Sequence, residues 1–79
     1  MAVRAYVLIE TSVGISRRVS GKLRAIPAVR SLDVVAGPYD IIAVVEAADL
    51  AAIGDLITTD IHRIDGITRT ITCLSIGKG

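Results

Sequence analysis

The sequence predicts an α+β domain, a single four-stranded antiparallel sheet with two helices on one of its faces. Three observations lead there. The chain has 79 residues, the size of one small domain, so residues 1–79 are read as a single unit. It repeats itself at an offset of 38 residues, Ile15 recurring as Ile53. Within each half, apolar residues of period two flank apolar residues of helical period.

The elements follow in order. Val3, Ala5 and Val7 alternate with other residues, which predicts a strand near 2–10. Ile15, Val19, Leu23 and Ile26 then recur at i, i+4, i+8 and i+11, the stripe of an amphipathic helix near 14–25. Ser12 or Ser16 is the candidate N-cap, and Pro27 stops the helix. Val29 opens a second strand near 29–36, and Gly37-Pro38 turns the chain into a third near 39–47. There Ile41, Ala43 and Val45 repeat Val3, Ala5 and Val7. Asp49 is a good cap for a helix near 49–63, whose stripe Ile53, Ile57, Ile61 and Ile64 repeats the first. Gly66 ends it, and Ile67, the repeat of Val29, starts a last strand near 67–76. The order βαββαβ packs as the ferredoxin-like split βαβ arrangement.

One face of that sheet is too apolar to stay wet. The first strand presents Arg4, Tyr6, Leu8 and Glu10 away from the helices, and the third presents Asp40, Ile42, Val44 and Glu46. Leu8, Ile42 and Val44 need cover. With 52% hydrophobic residues but no Trp or Phe, and only Tyr6 and Tyr39, the chain holds more aliphatic material than one small core hides. A dimer through the open sheet face is expected.

Composition narrows the function classes. No apolar run approaches the length of a membrane span, and the N-terminus lacks the pattern of a secretory signal. The single Cys73 excludes an internal disulfide and a multi-cysteine metal cluster, which fits a reducing cytoplasm. A net charge of +1 gives little attraction for a phosphate backbone, so direct nucleic-acid binding is not expected. His62 falls at the edge of the second helix's apolar face and reads as a boundary residue; Cys73 reads as a small buried hydrophobe. Arg17, Arg18, Lys22 and Arg24 make the first helix basic, a solvated face. Neither a metal nor a cofactor is expected, and with one histidine and one isolated cysteine the chain is not read as an enzyme.

The corner Gly37-Pro38-Tyr39-Asp40 is the candidate binding element, with a carboxylate placed where an apolar strand begins. Together with Ile26-Pro27-Ala28-Val29 and Gly66-Ile67-x-x-Thr70-x-Thr72, it resembles the effector-binding (RAM) domain of the Lrp/AsnC transcriptional regulators, from Val3 to Ile76. Full-length members carry a helix-turn-helix domain ahead of this one. The chain starts on the first strand, so the resemblance implies a stand-alone version that regulates transcription or metabolism without touching DNA. It further implies dimers that join into rings such as octamers or decamers, with a free amino acid or related metabolite held between subunits near the corner. Carried over residue by residue, the ligand-binding set is Gly37, Pro38, Tyr39 and Asp40, with Thr68, Thr70 and Thr72 as neighbours. The chemistry suits an amino acid. Asp40 or turn carbonyls accept from its ammonium group, while backbone N–H groups at Gly37 and Tyr39 and the threonine hydroxyls donate to its carboxylate. Pro38 has no N–H to give. Two alternatives stand beside this reading: an ACT-like amino-acid-binding domain, where Gly14 would be the telling glycine, and a structural partner that co-assembles with full-length Lrp/AsnC regulators.

Overall fold

The computed structural model describes residues 2–78. Its elements are β1 (Val3–Thr11), α1 (Ser16–Arg24), β2 (Val29–Val34), β3 (Ile41–Ala47), α2 (Leu50–Asp55), a π-helical continuation of α2 (Leu56–Ile61), and β4 (Ile67–Leu74). The sheet order is β2-β3-β1-β4, every neighbouring pair antiparallel. Each half is therefore a split βαβ unit, with the central strand of the other half inserted between its own two strands. This is the ferredoxin-like arrangement expected from the repeat.

Alternation dictates the core. Ala5, Val7 and Ile9 of β1 and Ile41, Ala43 and Val45 of β3 point to the helix side and are fully buried. Val19 and Leu23 of α1 meet them, with Ile53, Leu56, Ile61 and Ile64 from the second helical stretch. Each such aliphatic side chain contributes about 1.5–3 kcal/mol by leaving water. The side chains repeated at the 38-residue offset, Ala5 with Ala43 and Val7 with Val45, lie in this one layer.

The boundaries move where hydrogen bonds dictate. β1 reaches Thr11 because the Asp40 carboxylate accepts the Thr11 amide at 2.8 Å. β2 stops at Val34 because the Val35 amide turns to the Asp40 carbonyl, also at 2.8 Å, closing the corner. Neither Ser12 nor Ser16 caps α1: Ile15 occupies the N-cap without a side-chain bond, and the Ser12 amide donates to the Gly66 carbonyl. Asp49 does cap α2, its Oδ1 accepting the Ala52 amide at 2.8 Å.

The second helix departs from the expected α geometry. After Asp55 it widens into π form, the His62 amide reaching back five residues to the Ile57 carbonyl at 3.0 Å. The stripe shifts with it, so that Leu56 enters the core and Ile57 is only half-buried. Cys73 also departs from expectation and is exposed. It lies opposite Tyr6 on the open face of β4, an edge strand that no second layer covers.

Candidate functional site

The strand directions gather the candidate residues at one end of the sheet. β1 ends there, β3 and β4 begin there, and the β2–β3 corner lies beside them. Asp40 is half-buried and ties this end together. Its amide donates to the Ile9 carbonyl at 2.9 Å and its Oδ2 accepts the Thr11 amide, leaving Oδ1 without a protein partner among the described residues. Thr11 serves through its backbone, since its buried Oγ1 makes no hydrogen bond. Tyr39 is half-buried, while Gly37 and Pro38 are exposed. Gly37 has a φ of 158°, close to the extended region, and a Cβ there meets nothing within 4 Å. The corner is open to an approaching group.

The three threonines of β4 do not share a face. Simple alternation would align them, but the register slips by one residue at Glu10/Thr11, where a bulge forms. Thr68 consequently bonds on the open-face side, its Oγ1 donating to the Glu10 carbonyl at 3.2 Å and to Glu10 Oε1 at 3.0 Å. Thr70 pairs with Ile9 on the helix side, where its hydroxyl meets His62 Nε2 at 2.8 Å. Thr72, opposite Val7, is exposed farther down the same strand.

Around the edge of β4 these residues shape a surface recess of about 240 Å³, lined by His62, Ile67, Thr68, Arg69 and Thr70. The corner residues do not line it. They lie across β1, about 10 Å away by the ordinary spacing of strands. The recess offers an imidazole, a guanidinium and two hydroxyls. Glu10 and Arg69 face each other in the β1–β4 register, yet they form no ion pair within 4 Å, because Glu10 is held by Thr68 instead. The ion pairs among the described residues lie at the far end of the sheet. There Glu46 takes Arg4 at 2.9 Å and Arg30 at 3.6 Å, and with Tyr6 it raises the Arg4 pKa. Among the described residues no cluster of three metal-ligating side chains exists, and no helix is long and apolar enough to cross a membrane.

Sequence reasoning singled out the threonines and passed over Glu10, His62 and Arg69. Arg69 stands between two of the chosen threonines, which was the available signal. The register that sets Glu10 opposite Arg69, and the contact of His62 with Thr70, are long-range features that no local pattern reveals.

The family model described as the Lrp/AsnC ligand binding domain matches residues 4–78, and the chain belongs to that family. A search of curated proteins finds no significant match. Among solved structures, FFRP-DM1 is 38% identical, with 94% of this chain and 99% of that one covered and a TM-score of 0.90. E. coli AsnC is 22% identical with a TM-score of 0.92; the match takes in 96% of this chain but only 52% of AsnC, about half its length. The transcriptional regulator NMB0573 from Neisseria meningitidis, solved as a complex with L-Met, is 14% identical over 96% of this chain and 51% of its own, with a TM-score of 0.86. The last two likenesses show the fold. The family is the ligand-binding domain of the Lrp/AsnC proteins, and the N. meningitidis neighbour is a transcriptional regulator.

Proposed function

We propose that this domain senses a free α-amino acid and does so as an oligomer built through the open face of its sheet. The observation that carries the reading is the couple Glu10 and Arg69 beside the recess, opposite in register yet not joined as an ion pair. A zwitterion brings its own ammonium and carboxylate to such a couple, so both charges gain a partner without the protein closing on itself. Thr68 and Thr70 add hydroxyls at the same edge, and 240 Å³ suits a molecule of amino-acid size better than a larger ligand. Gly37, Pro38, Tyr39 and Asp40, with Thr72, complete the site from a neighbouring subunit, the free Oδ1 of Asp40 serving as a second acceptor for the ammonium group. The N. meningitidis regulator holding L-Met lends the ligand class support.

Self-association rests on the half-buried stripe of Leu8, Ile42, Val44 and Ile71, which lies on the open face with nothing over it. The near-neutral charge gives this domain no hold of its own on a phosphate backbone, so its regulatory effect passes through assembly with other chains.

Calorimetry and native mass spectrometry with each of the twenty amino acids test this directly. One amino acid, or a small chemical group of them, should bind with a heat that Arg69→Ala weakens at least tenfold while the fold persists. A folded oligomer that takes up none of the twenty would remove the proposal.

A further inference from the structure

The recess at the edge of β4 is one-sided in charge. His62 and Arg69 line it as a titratable base and a fixed cation, Thr68 and Thr70 as hydroxyls, and Ile67 as an apolar wall; none of the lining residues is an acid. The two hydroxyls are not equivalent. Thr68 gives its proton to Glu10, through the carbonyl at 3.2 Å and Oε1 at 3.0 Å, and has none left for a ligand. Thr70 lies 2.8 Å from His62 Nε2, and which of the two donates is set by the state of the ring.

A hydroxyl has one proton and two lone pairs. Beside a neutral ring with a bare Nε2, Thr70 donates to the imidazole and shows the recess only lone pairs, which repel a carboxylate. An imidazolium carries N–H at both nitrogens, so Nε2 donates and Thr70 must accept. The Thr70 proton then turns to another acceptor. Protonation of His62 thus gives the recess a positive charge beside Arg69 and a hydroxyl proton aimed away from the ring. Both favour an anionic oxygen. The other charged groups around His62 are Glu10 of β1, opposite Arg69, and Asp40 across β1, with Asp60, Arg63 and Asp65 flanking it in its own segment. None of these joins His62 in an ion pair among the described residues.

We infer that the effector is an amino acid with an acidic side chain, bound together with a proton on His62, an inference that rests on the recess being the amino-acid site proposed above. Glu10 and Arg69 take the α-ammonium and α-carboxylate. The side-chain carboxylate accepts from the Thr70 hydroxyl, with the imidazolium behind it, and Ile67 supports the methylene stem. His62 is then the residue that reads the side chain. A ligand that prefers the imidazolium draws a proton from solution, so affinity rises as pH falls through the histidine range and is lost as pH rises through it. The corresponding amide carries no charge and gains little from the same proton.

Calorimetric titration with the twenty amino acids, in buffers of different ionisation heat, reads affinity and proton uptake together. At about pH 5.5 L-aspartate or L-glutamate should bind about tenfold tighter than its amide. Near neutral pH its binding should take up a fraction of a proton, and at about pH 8 the advantage over the amide should be largely gone. His62→Gln keeps a hydrogen-bond partner for Thr70 and should lose both the pH dependence and the proton uptake, with an unchanged circular dichroism spectrum. Thr70→Val, similar in size but without the hydroxyl, should lose the preference for acid over amide. A preference for a neutral or basic amino acid overturns this inference and leaves the amino-acid site standing. So does an acid preference that ignores pH or survives both variants. Binding of none of the twenty removes the site and this inference with it.

Discussion

Asp40 shows what a single position carries. Its place after Gly37-Pro38-Tyr39 and before Ile41 marked it as a carboxylate that must be solvated, paired or used. The structure pairs one oxygen with the Thr11 amide and leaves the other without a partner among the described residues. Asp40→Ala should therefore cost about 1.5–3 kcal/mol, the value of a hydrogen bond to a charged group. In a domain of this size that lowers Tm by roughly 6–24 °C. Asp40→Asn keeps an acceptor for Thr11 and should retain most of that stability while losing the charge an ammonium group would meet. Thermal melts of the two variants separate latch from ligand role, and an Asp40→Ala protein that melts like the parent would mean the bond contributes nothing. The importance of this residue was legible; its partner was not. Thr11 is 29 residues away, and only the pairing of β1 with β3 brings the two together.

At the scale of elements, the helix stripes and the strand alternation were readable because each repeats locally at its own period. The π-helical segment was not. A strict helical count places Ile57 inside, and the extra residue per turn puts Leu56 there instead. Which register wins depends on how Ile61 and Ile64 seat against β1 and β3, and that is a property of the docked helix. Gly66, read as a helix stop, also joins elements. It has a φ of 102°, and a Cβ there would run into the Ile15 side chain and press on Val19 at 3.4 Å. Its carbonyl accepts the Ser12 amide at 2.9 Å, so the loop entering β4 fastens the loop entering α1. Gly66→Ala meets both a disfavoured backbone conformation and a packed neighbour, and should lose about 1–3 kcal/mol in urea denaturation. An unchanged midpoint would show that Ile15 yields freely.

For the whole molecule, the covered face of the sheet was legible down to individual side chains, while the shape of the binding edge was not, because the bulge at Glu10/Thr11 divides Thr68 from Thr70 and Thr72. The open face gives the broadest prediction. Leu8 lies beside Ile42, and Tyr6 beside Val44, in the stripe that the proposed subunit contact would cover. Leu8→Asp puts a charge where that cover would strip its water, and should halve the mass measured by sedimentation without changing the secondary structure. A variant that sediments with the parent would show that the stripe faces solvent in the assembly.

The interleaving of the two halves has a consequence for how the chain is made. β1 and β2 belong to the first half but never touch; β3 lies between them, and β4 finds its place only against β1. A nascent chain that has emerged as far as Gly37 holds two strands with no partner for either. Pairing starts when β3 arrives, and the last edge of the sheet closes when Ile67–Leu74 leave the ribosome. Until then β1 keeps an open side that β4 of another nascent chain fits as well as its own, so strand exchange between copies synthesised close together is the error this topology invites.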